Sequence, residues 1–364
     1  MTPTEVSSTT TALPFAEHLE RWKGLIYPGS NAQKHFQPHN GSLIAELPSC
    51  ARSDVEEAFA LARSAQLIWA KRPLRERTAL VRRFHDLILD HDSVLLDVVQ
   101  TETGKSRASA FDEVADIALN SRYYANSARR HLAPRRRQGA LPFVTSAKEY
   151  YCPKGVVGMI TPWNYPLTLP ITDALPALLA GNAIVLKPDA QAPFSALAAI
   201  SLLVDAGLPK DLFQVVLGDG PLVGGAIIDN ADFVMFTGST ATGKIVAEAC
   251  GRRLIGFAAE LGGKNPMIVL DDAPLDRALQ GALAASFSNA GQLCVSIERL
   301  YVQDTIYDTF VPAFREAVNN IKLGTALDFS YDMGCLISQE QLDKVVGHVQ
   351  DAVAHGATVL AGGS

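Results

Sequence analysis

Cys294 is the penultimate residue of the stretch FSNAGQLCV, in which a helical pattern runs through Asn289, Ala290, Gly291 and Gln292 into a lone thiol. A cysteine so placed is open to two readings. It can be a small hydrophobe packed at a helix end, the usual fate of a free cysteine. It can also be a nucleophile, provided local dipoles raise the thiolate fraction above the minor share that a pKa near ~8.5 leaves at neutral pH. Four motifs precede it: Thr161-Pro162-Trp163-Asn164-Tyr165-Pro166, Leu186-Lys187-Pro188, Phe236-Thr237-Gly238-Ser239 and Glu260-Leu261-Gly262-Gly263-Lys264. Singly, each has a plainer use. Asn164 can be a turn residue ahead of a Pro-bounded helix start, and Glu260 a capping or ion-paired carboxylate. Together they place an amide, a cation, a glycine turn and a carboxylate ahead of a thiol, a set that one shared nucleophilic site explains. A cysteine-protease arrangement would need a distant histidine and would leave PWNYP and ELGGK without a task.

Two glycine stretches invite a phosphate-binding reading. Thr103-Gly104-Lys105-Ser106 contains GKS, but Val99 stands where the first glycine of a P-loop belongs and the surroundings are helical. Gly238 to Lys244 fits GxxxxGK between a strand and a helix, yet Ile245 replaces the hydroxyl that would hold Mg²⁺. A nucleotide-hydrolysing activity is therefore not expected. The same turn can still receive a pyrophosphate, with Gly238 allowing close approach and Ser239 at the positive end of a helix, or be a tight strand-to-helix turn and nothing more. Gly218-Asp219-Gly220 is a second, weaker glycine cluster at a strand end.

The elements that must position these residues are legible from patterning. Residues before 136 read as helices: Ser53 with Glu56 suggests a capping box ahead of VEEAFALARSAQLIWAKR, Pro73 opens LRERTALVRRFHDLILDH, and FDEVADIALNSRYYANSARRHL ends before Pro134. Around 138–152 the chain becomes strand-like and Pro-broken, as in a protruding hairpin. From 155 onward, apolar runs alternate with helices: GVVGMIT, AIVLKP, FQVVLG, DFVMFTG and RLIGFAAEL. Strands apolar throughout imply a parallel sheet covered on both faces, a doubly wound α/β fold whose ligands bind beyond the strands' carboxyl ends. Four of the five motifs fall at such ends. A second α/β region follows from 262, with NPMIVL, a helix, ERLYVQ, two long helices, and TVLAGGS as a strand entering a turn. A compact domain rarely stops there, so the C-terminal part of this unit is expected to be missing.

Composition agrees with a large folded core and excludes several classes. The chain has 364 residues, 48% hydrophobic and 19% charged, with a net charge of −6 that offers no footprint for nucleic acid. The run Arg129-Arg130 and Arg135-Arg136-Arg137 reads as a solvated face. Five scattered cysteines (Cys50, Cys152, Cys250, Cys294 and Cys335) without a CxxC pair point to a reducing cytoplasm and to no metal site. The N-terminus lacks a secretory pattern, and no apolar stretch is long enough for a membrane span.

With PWNYP, ELGGK and GQLC in this order, the chain from about residue 20 to its end resembles the aldehyde dehydrogenase superfamily. The resemblance implies Cys294 as nucleophile, Asn164 with the Cys294 backbone N–H as oxyanion donors, and Glu260 as the base that activates water. It also implies a nicotinamide dinucleotide, NADP or NAD, held by Thr161, Pro162, Trp163, Lys187, Ala190, Gly220, Gly238, Ser239 and Leu261. Lys187 corresponds to the residue on the adenosine ribose. Strictly NAD-using members often carry a glutamate where this chain has Ala190, and an alanine leaves room for a 2′-phosphate, so NADP is the expected preference unless Asp189 reaches the ribose. Implied domains are 20–136 and 156–261 for the dinucleotide, a 137–155 oligomerisation hairpin, and 262–364 as catalytic domain, in a homodimer or homotetramer.

Within that family the chain is similar to bacterial proteins named succinate-semialdehyde dehydrogenases, through KGVVGMITPWNYP, AELGGKNPMIVL and FSNAGQLCVSIERLYV. Three departures bear on function. Ser288 and Thr172 stand where many of those proteins place arginines for the substrate carboxylate, which wants a charge-assisted partner. The second family glutamate, in an E-x-F-G-P motif, is absent. Succinate semialdehyde is the expected substrate; a broad aliphatic or aromatic aldehyde, or a truncated homologue without activity, are the alternatives.

Overall fold

The computed structural model describes residues 13–29, 31–141 and 144–363. The reading of a leaderless N-terminus falls mostly on residues 1–12, outside that set.

In chain order the elements are α1 (Leu19–Lys23), β1 (Asn31–Phe36), β2 (Leu43–Ser49), α2 (Arg52–Trp69), α3 (Leu74–Asp90), α4 (Asp92–Thr103), α5 (Arg107–His131), β3 (Arg135–Gln138), β4 (Ser146–Glu149), β5 (Val156–Ile160), α6 (Thr168–Leu179), β6 (Ala183–Lys187), α7 (Phe194–Asp205), β7 (Phe213–Val215), α8 (Gly220–Asn230), β8 (Phe233–Thr237), α9 (Thr240–Arg253), β9 (Gly256–Glu260), β10 (Asn265–Val269), α10 (Leu275–Phe287), β11 (Ile297–Val302), α11 (Asp304–Asn319) and α12 (Gln339–Ala354).

The five apolar runs form one parallel sheet in the order β7-β6-β5-β8-β9. Its order reverses beside β5, the first strand, which is the switch point where such sheets open a crevice. Every residue of β6 is buried and β5 is buried over Val156–Met159, because helices cover both faces. α2 and α8 pack on each other and on β5 and β6, while α6 packs on β6 and against α5 and α7. The approach is close enough to require glycine at 158, where an added Cβ would lie 2.5 Å from Ile227 Cγ2 and 3.0 Å from Ala231 Cβ. The fold class is therefore the doubly wound α/β arrangement anticipated from the apolar runs.

Beyond the sheet, β10 and β11 pair in parallel across α10, over a small core of Val269, Ala282 and Phe310. The β3–β4 hairpin is antiparallel, with Arg135 opposite Glu149 and Gln138 opposite Ser146. All of β3 is exposed, so the basic run lies partly on a solvated strand, where Arg137 pairs with Glu149.

Two local expectations are corrected. The capping box at Ser53 and Glu56 is not formed: α2 starts two residues earlier, Ala51 is its N-cap, and the Asp54 carboxylate accepts from Ala51 N at 2.7 Å. Glu56 instead pairs with Arg52 one turn before it. The surroundings of the GKS segment are helical as expected: Gly104 ends α4 in the left-handed region (φ 72°) and Ser106 caps α5. The second corrected expectation is the strand at 358–363: among the described residues it does not form, since an extended segment needs a ladder partner to become one.

Candidate active site

The sheet delivers its motifs to one rim. Thr161 to Asn164 leave the end of β5, Lys187 ends β6, Gly238 and Ser239 follow β8, and Glu260 ends β9. Thr237 and Glu260 are cross-strand partners, and Gly238 N donates to Glu260 O at 3.0 Å. Cys294 arrives from the other unit, on the turn between α10 and β11.

That turn is held by amides. After α10 the chain enters two consecutive left-handed residues, Asn289 (φ 51°) and Ala290 (φ 56°). Asparagine tolerates this conformation; alanine there is strained, and such strain persists only where the surroundings over-determine it. Here they do. Asn289 Nδ2 donates to Asn164 O at 3.0 Å, Gln292 Nε2 donates to Asn289 O at 3.0 Å, and Ile337 N donates to Gln292 Oε1 at 3.1 Å. Asn265 at the start of β10 donates to Cys294 O at 2.8 Å and to Ser296 O at 3.0 Å. Cys294 itself is exposed, and its backbone N–H donates to no partner among the described residues. Asn164 Nδ2 donates to Gln292 O at 3.0 Å, which leaves its second N–H free and ties the amide to the nucleophile's own loop.

Cys294, Asn164 and Glu260 line one cavity of about 640 Å³, together with Trp163, Tyr165 and Leu261. Asp112 and Asp116 of α5 and Gln341 and Lys344 of α12 complete its wall. Burial raises the Asp112 and Asp116 carboxyls above the usual range. Asp173, from α6, is pushed up to about 6 by burial and by the charge of Glu260. A thiol, an amide donor and a carboxylate around one space can hold a carbonyl, stabilise its addition product and move a proton from water.

A second groove of about 610 Å³ adjoins this cavity, and Pro162, Trp163, Thr237, Gly238 and Ser239 border both. Lys187, Asp189 and Gly220 line it further along. It fits a dinucleotide. The hydroxyls of Thr161 and Thr237 are buried without a partner in its wall, Ser239 caps the N-terminus of α9, and Gly220 and Gly225 leave open space where a side chain would project. Lys187 is buried, which lowers its pKa against the opposing pull of Asp189 and Asp219. Of the residues expected around a cofactor, Thr161, Pro162, Trp163, Lys187, Gly220, Gly238 and Ser239 lie in the groove wall, while Leu261 lines the Cys294 cavity. Ala190 is half-buried and outside the wall; its neighbour Asp189 is in the wall, with Oδ1 accepting from Gln191 N at 2.9 Å. Among the described residues no cluster of three or more His, Cys, Asp or Glu could hold a metal ion.

Asn289, Asn265, Gln341 and Lys344 escaped the sequence reading. Asn289 had a signal, an asparagine between a helix and a glycine, where left-handed backbone is common. The α12 pair had none, because it reaches the cavity only through tertiary packing.

The pattern of the aldehyde dehydrogenase family matches residues 27–364. The chain is 55% identical to a Mycolicibacterium smegmatis protein with the provisional name succinate-semialdehyde dehydrogenase (NADP+), over 89% of this chain and 63% of that protein. It is 35% identical to the succinate semialdehyde dehydrogenase of Acinetobacter baylyi, over 92% of this chain and 69% of the relative. The crystal structure of an E. coli NADP-dependent enzyme superposes with a TM-score of 0.88 at 36% identity, covering 92% of this chain and 69% of that one. The chain thus spans a little under two thirds of the length of the first of these relatives.

Proposed function

Because the chain belongs to the aldehyde dehydrogenase family, we propose that the whole protein oxidises an aldehyde to a carboxylic acid with NADP or NAD, and that Cys294 is its nucleophile. The observation that carries this reading is the single cavity shared by Cys294, Asn164 and Glu260 beside a dinucleotide-shaped groove. The Cys294 thiolate forms an S–C bond to the carbonyl carbon, and the π pair moves to oxygen. The Asn164 side chain and the Cys294 N–H donate to that oxyanion, a contribution of ~3–4 kcal/mol per donor in comparable sites. A bound nicotinamide would supply the hydride acceptor. Glu260 then takes a proton from water as the water attacks the Cys294 thioester; the C–S bond breaks, the acid leaves and the thiolate is restored. The test is Cys294→Ala: NADPH formation disappears while NADP still quenches Trp163 fluorescence. Retained turnover would sink the reading.

The names of the relatives support succinate semialdehyde as substrate and NADP as preferred cofactor. Comparing rates with NADP and NAD checks the latter, and a strong NAD preference overturns it. A second reading, oxidation of uncharged aldehydes in general, is favoured by the wall itself. Asp112, Asp116 and Glu298 line the cavity against one described cation, Lys344, and neither Ser288 nor Thr172 is in its wall, their hydroxyls being spent on Ala284 O at 2.6 Å and Thr168 O at 2.9 Å. A panel of aldehydes with and without a terminal carboxylate separates the two.

The domain assignment follows the same reading: 20–136 and 156–261 hold the cofactor, and 262–364 carries the nucleophile. The 137–155 hairpin joins copies into a homodimer or homotetramer. Exposed Leu141, Val144, Tyr150 and Tyr151 on and beside the hairpin support that role. No described helix is long and apolar enough to cross a membrane. Five free cysteines suit a reducing cytoplasm, our proposed location.

A further inference from the structure

The GKS segment, rejected as a phosphate loop, has a different occupation. Lys105 and Glu113 form an ion pair whose side chains are both 0% exposed. The pair reaches the active-site loop directly. Lys105 Nζ donates to Asn164 O at 2.8 Å and sits 4.4 Å from the centre of the Tyr165 ring. Glu113 Oε2 accepts from Leu167 N at 2.9 Å and Thr168 N at 3.0 Å, at the start of α6. One turn before Glu113, on the same face of α5, Ser109 Oγ accepts from Asn289 N at 3.2 Å. Asn289 in turn shares Asn164 O with Lys105.

The beginning of α5 therefore grips both halves of the site, the loop that carries the amide donor and the loop that carries the thiol. Stability alone is a poor account of this pair, since buried ion pairs replaced by apolar side chains of similar volume often leave stability unchanged. We propose that Lys105, Ser109 and Glu113 are positioning residues that set the register of Asn164 against Cys294. The proposal rests on the reading of Cys294 as nucleophile and Asn164 as oxyanion donor. None of the three touches the substrate. They act through the backbone at 164–168 and at 289, and an error of about 1 Å in such a register is enough to cost ~100-fold in rate.

The test uses the full chain carrying Lys105→Met/Glu113→Leu, with Lys105→Met/Glu113→Gln as the alternative if the first does not fold. Three readouts are taken: kcat and KM with succinate semialdehyde and NADP, the same after adding Asn164→Ala, and hydrogen exchange of peptides spanning 164–168 and 289–294. The expected result is a kcat lower by ~10- to 100-fold with KM for NADP within about twofold. Adding Asn164→Ala then produces no further loss, and amides in both peptides exchange faster. Losses that multiply with Asn164→Ala, or exchange that is unchanged in both peptides, would overturn the proposal. If the unaltered chain oxidises no aldehyde, the functional reading fails separately, and the exchange data alone decide whether α5 holds the two loops.

Discussion

Replacing Asn164 with alanine should separate catalysis from stability. The side chain makes one hydrogen bond, Nδ2 to Gln292 O at 3.0 Å, whose loss costs about 1 kcal/mol. Against that, its Oδ1 is buried without a partner, and removing such an acceptor relieves a penalty of about 1–3 kcal/mol. The main-chain carbonyl of residue 164 keeps its donors from Lys105 and Asn289, so the loop retains its path. Net stability should therefore stay within roughly 1–2 kcal/mol of the parent, as the difference of two terms of that size. The oxyanion loses a donor, and kcat should fall by about 10²- to 10³-fold. Urea unfolding and steady-state NADPH formation measure the two quantities, and iodoacetamide labelling checks that Cys294 remains reactive. If kcat falls less than about fivefold, far short of an oxyanion donor's usual share, Asn164 is a turn residue and the assigned role is wrong.

Three further outcomes follow from titration and packing. Asp173, held near about 6, gains a charge beside Glu260 as pH rises, so kcat/KM should bend near pH 6, and Asp173→Asn should remove the bend. Glu102 of α4, fully buried with its carboxylate accepting from Phe194 N and Ser195 N at the start of α7, is raised to about 8 by burial. The folded state thus keeps a proton that the unfolded chain gives up near 4.5, and stability present at low pH is lost as pH rises from there through about 8. Denaturation midpoints at successive pH values should decline across that window in the parent and flatten in Glu102→Gln; parallel slopes would contradict it. Gly158→Ala pushes a methyl against Ile227 and should lower stability by ~1–3 kcal/mol with little change in kcat, so an unfolding curve matching the parent's would refute the packing argument.

Strands β5, β6 and β7 were legible because burial on both faces leaves unbroken apolar runs, and the strand-end motifs located Asn164, Lys187, Gly238 and Glu260 on one rim. What stayed hidden was whatever depends on distance along the chain. Lys105 acts on a carbonyl 59 residues away, and its sequence context suggested a broken phosphate loop rather than an ion pair. The start of α2 turned on whether Asp54 or Glu56 reaches back to the preceding backbone, a shift of two residues that composition does not decide. The final expected strand failed because apolar residues permit an extended segment but a ladder requires a neighbour.

Pro162, Trp163, Thr237, Gly238 and Ser239 form a partition with a ligand space on either side. A partition of that kind cannot be retuned for one occupant alone. On the proposed function, any substitution in it alters the fit of aldehyde and dinucleotide together, so kinetic constants for both should move in step. Substitutions at the outlying walls, such as Asp112 and Asp116 of α5, which border the cavity of Cys294 and not the groove, are expected to alter the fit of one occupant alone.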